Sequence, residues 1–200
     1  MNENNTAIER ILLSKDKFFE IEQSIRLQEH LRRYAAVRRF IYGRVLDFAS
    51  GCGYGTFLLS NNPDISEIIG VDKDEESVEW AKNQYEGGKC KFVCADVRNL
   101  SGKFDTLVSL ETIEHFENDT LYKEIIDKYS IDQVILSYPN KKSTHFNKFH
   151  LRDLNEQYVL KTFNDFILYH KFNMGDVSFL LFIRKPENMP HHIVENILDL

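Results

Sequence analysis

The stretch Arg44–Ser60, RVLDFASGCGYGTFLLS, decides the fold that this sequence predicts. A short apolar run ends at Asp47, and a helical pattern begins at Thr56. Between them stand three glycines at alternate positions: Gly51, Gly53 and Gly55. A strand, a glycine-rich turn and a helix in this order bring backbone close to a nucleotide-like ligand, because a Cβ atom would block the approach. Glycine-rich turns are common, so the pattern needs a second signal.

That second signal is an acidic residue at the end of the next strand-like run. Residues 67–71, EIIGV, lead directly into Asp72. In a doubly wound sheet a carboxylate at this position lies at the tip of the neighbouring strand, where it can accept hydrogen bonds from both hydroxyls of a ribose. The two stretches together predict a nucleotide-like ligand at one edge of a parallel sheet.

Strands and helices alternate from Arg44 onward, which predicts an α/β sheet with helices on both faces. The last two strand-like runs are joined by a short link that contains Gly175, and this is typical of an antiparallel hairpin. The predicted strands are 44–48, 67–71, 90–95, 104–110, 132–138, 165–172 and 177–184. The predicted helices between them are 54–61, 74–86, 118–129 and 153–163.

The chain is expected to form one domain with an N-terminal helical cap at 1–43, a core at 44–185 and a tail at 186–200 with a small surface helix. Thr6 and Glu9 have the spacing of a capping box at the start of the cap. One face of the following helix carries arginines: Arg26, Arg32, Arg33, Arg38, Arg39 and Arg44. A solvated basic face is the simpler interpretation. In the alternative, one of these arginines closes with His30 and Tyr34 over a ligand carboxylate near the glycine loop.

Composition restricts the functional classes. The formal net charge of −6 gives no electrostatic argument for binding nucleic acid or an anionic membrane. The three cysteines contain no CxxC pair, which favours reduced thiols over a disulfide framework or a zinc site. No apolar run has the length of a membrane-spanning helix and the N-terminus is polar, so the sequence predicts a cytoplasmic protein without a signal peptide. The oligomeric state stays open.

Five motifs in order resemble those of the class I S-adenosylmethionine-dependent methyltransferases. They are VLDFASGCGYG, GVDKD, KFVCADVRNL, FDTLVSLETIEHF, and VILSYPN followed by NKFHLRDL. The last motif and the EHLRRY stretch resemble the bacterial branch that methylates small molecules and sugars. The resemblance covers roughly residues 25–184 and implies a Rossmann-like, doubly wound, seven-stranded, mostly parallel sheet with a C-terminal antiparallel hairpin. Ser50 stands where this family more often has Cys or Gly, and serine is small enough for the turn.

The resemblance also implies S-adenosylmethionine as cofactor and S-adenosylhomocysteine as product. Asp72 would hold the ribose hydroxyls, Asp96 would accept from the adenine amino group, and the Val97 amide would donate to the ring. Asp47 is expected to orient the glycine loop. A turn or helix cap is the alternative role for these aspartates. The expected cofactor-binding residues are Asp47, Ser50, Gly51, Gly53, Asp72, Lys73, Asp96, Val97 and Leu110.

The tip of the fourth predicted strand carries the candidate catalytic residues. Glu111, Glu114 and His115 share one face if the turn is helical, and with His150 they could bind a divalent metal. This E-x-x-E-H…H pattern resembles the small-RNA 3′-terminal 2′-O-methyltransferases, in which a metal positions the ribose hydroxyls. It is also frequent in metal-free small-molecule methyltransferases, where the first glutamate faces the cofactor pocket. A purely structural role is the third interpretation. We favour the metal-free interpretation, with Glu111, His115 and His150 as catalytic residues and no metal expected.

The expected function is methyl transfer to an oxygen or nitrogen atom of a small molecule or sugar. A hydroxyl nucleophile would need a base, for which His115 or His150 is the candidate. Substrate contacts are expected at Tyr138, Asn140 and His145, near the carboxyl edge of the sheet. The alternatives are the metal-dependent RNA methyltransferase and a non-catalytic cofactor-binding or adaptor protein. A Rossmann-type dehydrogenase is disfavoured, because no catalytic Tyr-x-x-x-Lys dyad stands out.

Overall fold

The computed structural model describes residues 15–186. The capping box predicted at Thr6 and the tail helix predicted beyond Pro186 lie outside the described residues. None of the described helices is long and apolar enough to cross a membrane.

Helices and strands alternate along the described chain as the sequence predicts. The helices are α1 (Lys15–Val37), α2 (Tyr54–Ser60), α3 (Glu75–Tyr85), α4 (Thr120–Tyr129) and α5 (Glu156–Thr162). The strands are β1 (Gly43–Phe48), β2 (Ile65–Asp72), β3 (Cys90–Cys94), β4 (Thr106–Leu110), β5 (Gln133–Pro139), β6 (Phe166–Met174) and β7 (Val177–Arg184). Short 3₁₀ turns follow α1, β3 and β4, and the turn after β4 is Ile113–His115.

One seven-stranded sheet has the order β3-β2-β1-β4-β5-β7-β6. The first five strands of the chain pair in parallel, and β7 is antiparallel to both of its neighbours. The predicted fold class is therefore confirmed, including the C-terminal hairpin. The order reverses between β1 and β4, and ligands of open α/β sheets bind at the carboxyl ends of the strands at such a point.

Both faces of the sheet are buried, because helices cover each of them. Leu46 and Leu107 pack into the cluster under α4 and α5, whereas Val45 and Val108 pack into the cluster under α1, α2 and α3. Side chains alternate between the two faces of a strand, so a central parallel strand is apolar throughout. Polar groups are thereby concentrated at the strand ends.

Candidate active site

The turn between β1 and α2 approaches the end of β2 with a strained backbone. Gly51 and Gly53 have φ of 52° and 79°, in the left-handed region that glycine adopts at little cost. Ala49 also lies there, with φ of 61°, although an L side chain in this region costs about 1–2 kcal/mol. A Cβ atom on Gly53 would come within 2.5 Å of the Ala81 side chain on α3. Strain of this kind is typical of ligand-binding turns.

Asp72 ties this turn to the end of β2. Its Oδ2 accepts from the Gly51 amide at 2.8 Å, and its Oδ1 accepts from the Asp74 amide at 3.0 Å. Each carboxylate oxygen keeps a second lone pair for another donor. Asp72 therefore has the capacity to accept ligand hydroxyls while it holds the glycine loop in place.

An apolar cavity of about 140 Å³ opens beside Asp72. Its walls are mainly aromatic and aliphatic, and they include Phe48, Val71, Val97 and Phe116. Such a cavity suits a flat heterocyclic ring. We call it the ring cavity.

Asp96 stands in the chain between Ala95 and Val97, which line the ring cavity, and it caps the 3₁₀ turn that begins at Val97. Its carboxylate accepts from the Arg98 amide and from the Arg98 guanidinium at 2.7 and 2.9 Å, and Lys73 Nζ lies 2.9 Å away. These hydrogen bonds, from Arg98 above all, hold the pKa of Asp96 well below its usual range. Asp96 therefore does cap a 3₁₀ turn, which was the alternative role considered for it. A contact between Asp96 and adenine stays a prediction.

A second cavity of about 180 Å³ lies on the other side of the glycine loop, and we call it the loop cavity. The sheet side of its wall includes Ser50, Gly51, Leu110 and Glu111. The remaining wall comes from α1 and α2: His30, Arg33, Tyr34 and Tyr54. Helix α1 therefore covers the glycine loop. This placement is the one needed if an arginine of α1, with His30 and Tyr34, is to close over a ligand carboxylate.

Two contacts position α1 over the loop cavity. The Tyr34 ring packs against Gly55, where a Cβ atom would come within 2.2 Å of the ring. His30 Nδ1 lies 2.7 Å from the Tyr54 hydroxyl. A glycine in the first turn of α2 thus permits the close approach of α1.

Asp47 lies beneath the glycine loop and is fully buried. The Thr56 hydroxyl donates to its Oδ2 at 2.6 Å, whereas Oδ1 has no hydrogen-bond partner among the described residues. Burial raises the pKa of Asp47 to about 7, against the opposing effect of the Thr56 hydrogen bond. The contact with Thr56 joins the end of β1 to the first turn of α2, which fits an orienting role.

Glu111 enters the loop cavity from the end of β4 with a backbone φ of 52°. Ser137 holds it twice: the Ser137 hydroxyl donates to Glu111 Oε1 at 2.9 Å and accepts from the Glu111 amide at 3.0 Å. Arg33 Nη1 lies 3.8 Å from Oε2. Burial raises the pKa of Glu111, and the Arg33 charge opposes this rise. A strained, clamped carboxylate therefore faces the place where α1 meets the glycine loop.

Glu114, His115 and His150 form a separate group behind this turn. Their ligand atoms all lie within 4.8 Å of one another. Glu114 is 1% exposed, and neither carboxylate oxygen has a hydrogen-bond partner among residues 15–186. His115 Nε2 and His150 Nε2 each lie 4.0 Å from Glu114 Oε1. Burial raises the pKa of Glu114 to about 8.

The two imidazoles of this group are oriented by their other ring nitrogens. His115 Nδ1 lies 2.9 Å from the Phe149 carbonyl, and His150 Nδ1 lies 2.7 Å from the Ser143 hydroxyl. This leaves both Nε2 atoms directed at the buried carboxylate, an arrangement that suits a cation with nitrogen and oxygen ligands. The sequence offered four residues as possible metal ligands, and three of them come together in this group. The fourth, Glu111, is hydrogen-bonded to Ser137 instead.

Comparisons with known proteins agree with this geometry. Residues 45–128 match the family model described as a methyltransferase domain. The structure of magnesium protoporphyrin IX methyltransferase from Synechocystis PCC 6803 with bound S-adenosylhomocysteine has a TM-score of 0.63 at 17% identity, over 88% of this chain and 90% of that one. Residues 45–128 thus resemble a methyltransferase domain in sequence, and the chain shares its fold with a solved methyltransferase. The predicted resemblance to this class is confirmed, and the branch within it stays a prediction.

Two further proteins are similar to this chain. The N-methyltransferase NodS from Bradyrhizobium japonicum WM9 has a TM-score of 0.59 at 14% identity, over 86% of this chain and 99% of that one. The cyclopropane-fatty-acyl-phospholipid synthase of Escherichia coli strain K12 is 33% identical over 89 residues. These residues are 42% of this chain and 22% of that enzyme, so the chain spans about a fifth of its length.

The predicted acceptor contacts have three different environments. Tyr138 is 2% exposed and lies in the core under α4 and α5, which does not fit a substrate contact. His145 is exposed and packs edge-on against Phe146. Asn140 is exposed at the end of β5 and bonds to the β6–β7 turn. The sequence did not single out Ala49 and Ser137, since neither residue carries a chemical signal of its own.

Proposed function

We propose that this protein transfers the methyl group of S-adenosylmethionine to an oxygen or nitrogen atom of a small molecule or sugar, in the cytoplasm. The observation that carries the proposal is Asp72, which holds the glycine loop between an apolar ring cavity and a polar loop cavity. Adenine would occupy the ring cavity, the ribose would face Asp72, and the methionine part would extend along Ser50 and Gly51. Structures similar to this chain contain S-adenosylmethionine or S-adenosylhomocysteine, which supports the assignment.

The cofactor supplies a methyl group that its sulfonium already activates, so the protein must align a nucleophile and exclude water. Glu111 is the carboxylate nearest to that task, because it faces the loop cavity and Ser137 limits its motion. Its pKa is raised by burial, which makes it a better proton acceptor than an exposed carboxylate. In this role Glu111 would take the proton of a hydroxyl or ammonium acceptor.

Titration calorimetry with S-adenosylmethionine tests the proposal. Replacing Asp72 by alanine leaves the ribose hydroxyls without an acceptor, at a cost of about 1–3 kcal/mol, or roughly a tenfold to hundredfold weaker affinity. Asp64→Ala is the matched control, because Asp64 is exposed and lines neither cavity.

Micromolar binding by the wild type that Asp72→Ala weakens and Asp64→Ala does not would support the proposal. No binding by the wild type would overturn it and would leave the non-catalytic alternative. Equal weakening in both variants would show that Asp72 does not contact the cofactor.

A metal-dependent 2′-O-methyltransferase that acts on an RNA 3′-terminal ribose is the second candidate function. The group Glu114, His115 and His150 favours it, because a buried carboxylate without partners would gain a cation as its counter-charge. The three residues fit a divalent ion such as Zn²⁺ or Mn²⁺, with the 3′-terminal hydroxyls completing the coordination.

Calorimetry with Mn²⁺ tests this candidate on the wild type, His150→Ala and His145→Ala. His145 is an exposed histidine of the same segment and serves as the control. Saturable binding lost only in His150→Ala, together with methylation of an RNA that ends in a 2′,3′-diol, would favour the second candidate. Absence of metal binding would remove it and leave the first.

A further inference from the structure

A third cavity of about 610 Å³ lies between α1 and the β6–β7 turn, and we call it the acceptor cavity. Its size is that of a cavity for a small-molecule ligand. The walls come from two segments, Glu29, Arg32 and Arg33 of α1 and the turn Met174–Val177. Arg33 also lines the loop cavity, so the two spaces meet at this residue. A molecule in the acceptor cavity would therefore lie next to the loop cavity, along which the methionine part of the cofactor is expected.

The charges around the acceptor cavity are unequally compensated. Arg33 reaches its carboxylate partner Glu111 only at 3.8 Å, beyond hydrogen-bond distance, so no side-chain hydrogen bond to the described residues occupies its donors. Its neighbour Arg32 is exposed, and no hydrogen bond or ion pair engages it within residues 15–186.

The acidic residues of the same walls do not match these two guanidinium groups. Asp176 pairs with Lys141 at 2.6 Å, so its charge is already compensated. Glu29 is then the remaining carboxylate among the lining residues. Arg33 lies near Glu111 of the loop cavity, so Arg32 is the guanidinium group on the α1 side that has no ion pair within residues 15–186.

The opposite wall is held in place by β5. The Asn140 amide donates to the Asp176 carbonyl at 2.8 Å, and the Asn140 side chain donates to the Gly175 carbonyl at 3.4 Å. Gly175 has φ of 57°, which permits the tight turn. The acceptor cavity is thus largely formed before a ligand enters.

We propose that the methyl acceptor carries an anionic group, a carboxylate or a phosphate, which Arg32 and Arg33 bind in the acceptor cavity. The planar guanidinium matches both anions with paired hydrogen bonds. The other end of the acceptor then points past Arg33 toward Glu111, where the nucleophilic atom is needed. The inference rests on the proposed function, because it assigns the occupant of the space beside the cofactor.

The test uses the whole chain saturated with S-adenosylhomocysteine, to which inorganic phosphate or acetate is added at low ionic strength. Binding is followed by ³¹P line broadening for phosphate and by saturation-transfer NMR for acetate. Arg32→Gln removes one cation without altering the loop cavity, and Arg38→Gln is the control, because Arg38 is exposed and lines neither cavity. The expected result is binding that is about tenfold weaker in Arg32→Gln and unchanged in Arg38→Gln.

The outcomes separate this inference from the proposed function. Binding of either anion that is about tenfold weaker in Arg32→Gln supports the inference, and the anion that binds more tightly identifies the group that the acceptor carries. No saturable anion binding to the loaded protein, or equal binding in both variants, overturns the inference alone. A chain that does not bind S-adenosylhomocysteine overturns the proposed function, and the inference with it.

Discussion

Replacing Asp47 by asparagine is expected to stabilise the protein at neutral pH. Asp47 is fully buried, and burial raises its pKa from 3.8 to about 7. Between these values the native state holds a proton that the unfolded chain has lost. The free energy of unfolding therefore falls as the pH rises through this range and is constant above it. At about 1.4 kcal/mol for each pH unit, the loss sums to about 4 kcal/mol.

Asparagine cannot ionise, yet its side-chain carbonyl can still accept the hydrogen bond from Thr56. Asp47→Asn should thus match the wild type near pH 4 and exceed its free energy of unfolding by about 4 kcal/mol near pH 8. Glu114 has a raised pKa and His150 a lowered one, so both also contribute to the pH dependence of the wild type. Their contributions are common to both proteins and cancel in the difference.

Urea unfolding of the ligand-free protein across this pH range measures the difference directly. The control is Asp64→Asn, an exposed carboxylate whose replacement should leave the pH dependence as it is in the wild type. If Asp47→Asn and the wild type lose equal stability between the two ends of the range, Asp47 does not carry the burial cost and the reasoning fails.

Three further substitutions test the local geometry by urea unfolding. Ala49→Gly should raise the free energy of unfolding by about 0.5–1 kcal/mol. Glycine removes the strain of the left-handed backbone at this position, and this gain exceeds the cost of the extra entropy of the unfolded chain. A decrease would show that the backbone at Ala49 is not strained. Ser137→Ala should lower the free energy of unfolding by about 1–3 kcal/mol, since the Glu111 carboxylate loses its donor. The same loss in Ser24→Ala, which removes an exposed hydrogen bond, would speak against a specific clamp. Gly55→Ala should destabilise the protein, because the added Cβ would meet the Tyr34 ring. This is expected although alanine forms helices better than glycine by about 1 kcal/mol. An increase in stability would show that α1 does not pack on Gly55 in this way.

Local patterns in the sequence were sufficient to predict the architecture. Alternating apolar runs located the strands, and the glycine spacing located the turn that follows β1. The position of the carboxylate that ends β2, beside the glycine loop, was predictable, since the end of this strand has one place in a doubly wound sheet. Gly175 indicated the antiparallel hairpin in the same way. These signals need only neighbouring residues, and a single sequence contains them.

The details of the site depend on contacts between distant segments, which only the tertiary structure decided. Glu111 and Ser137 meet because β4 and β5 are neighbours in the sheet, and their pairing separates Glu111 from the group around Glu114. Ser137 and Tyr138 are adjacent in sequence, yet one clamps Glu111 and the other lies in the core. Successive side chains of a strand point to opposite faces, so a shift of one residue exchanges these roles. The register that chooses between them is set by packing across the whole sheet.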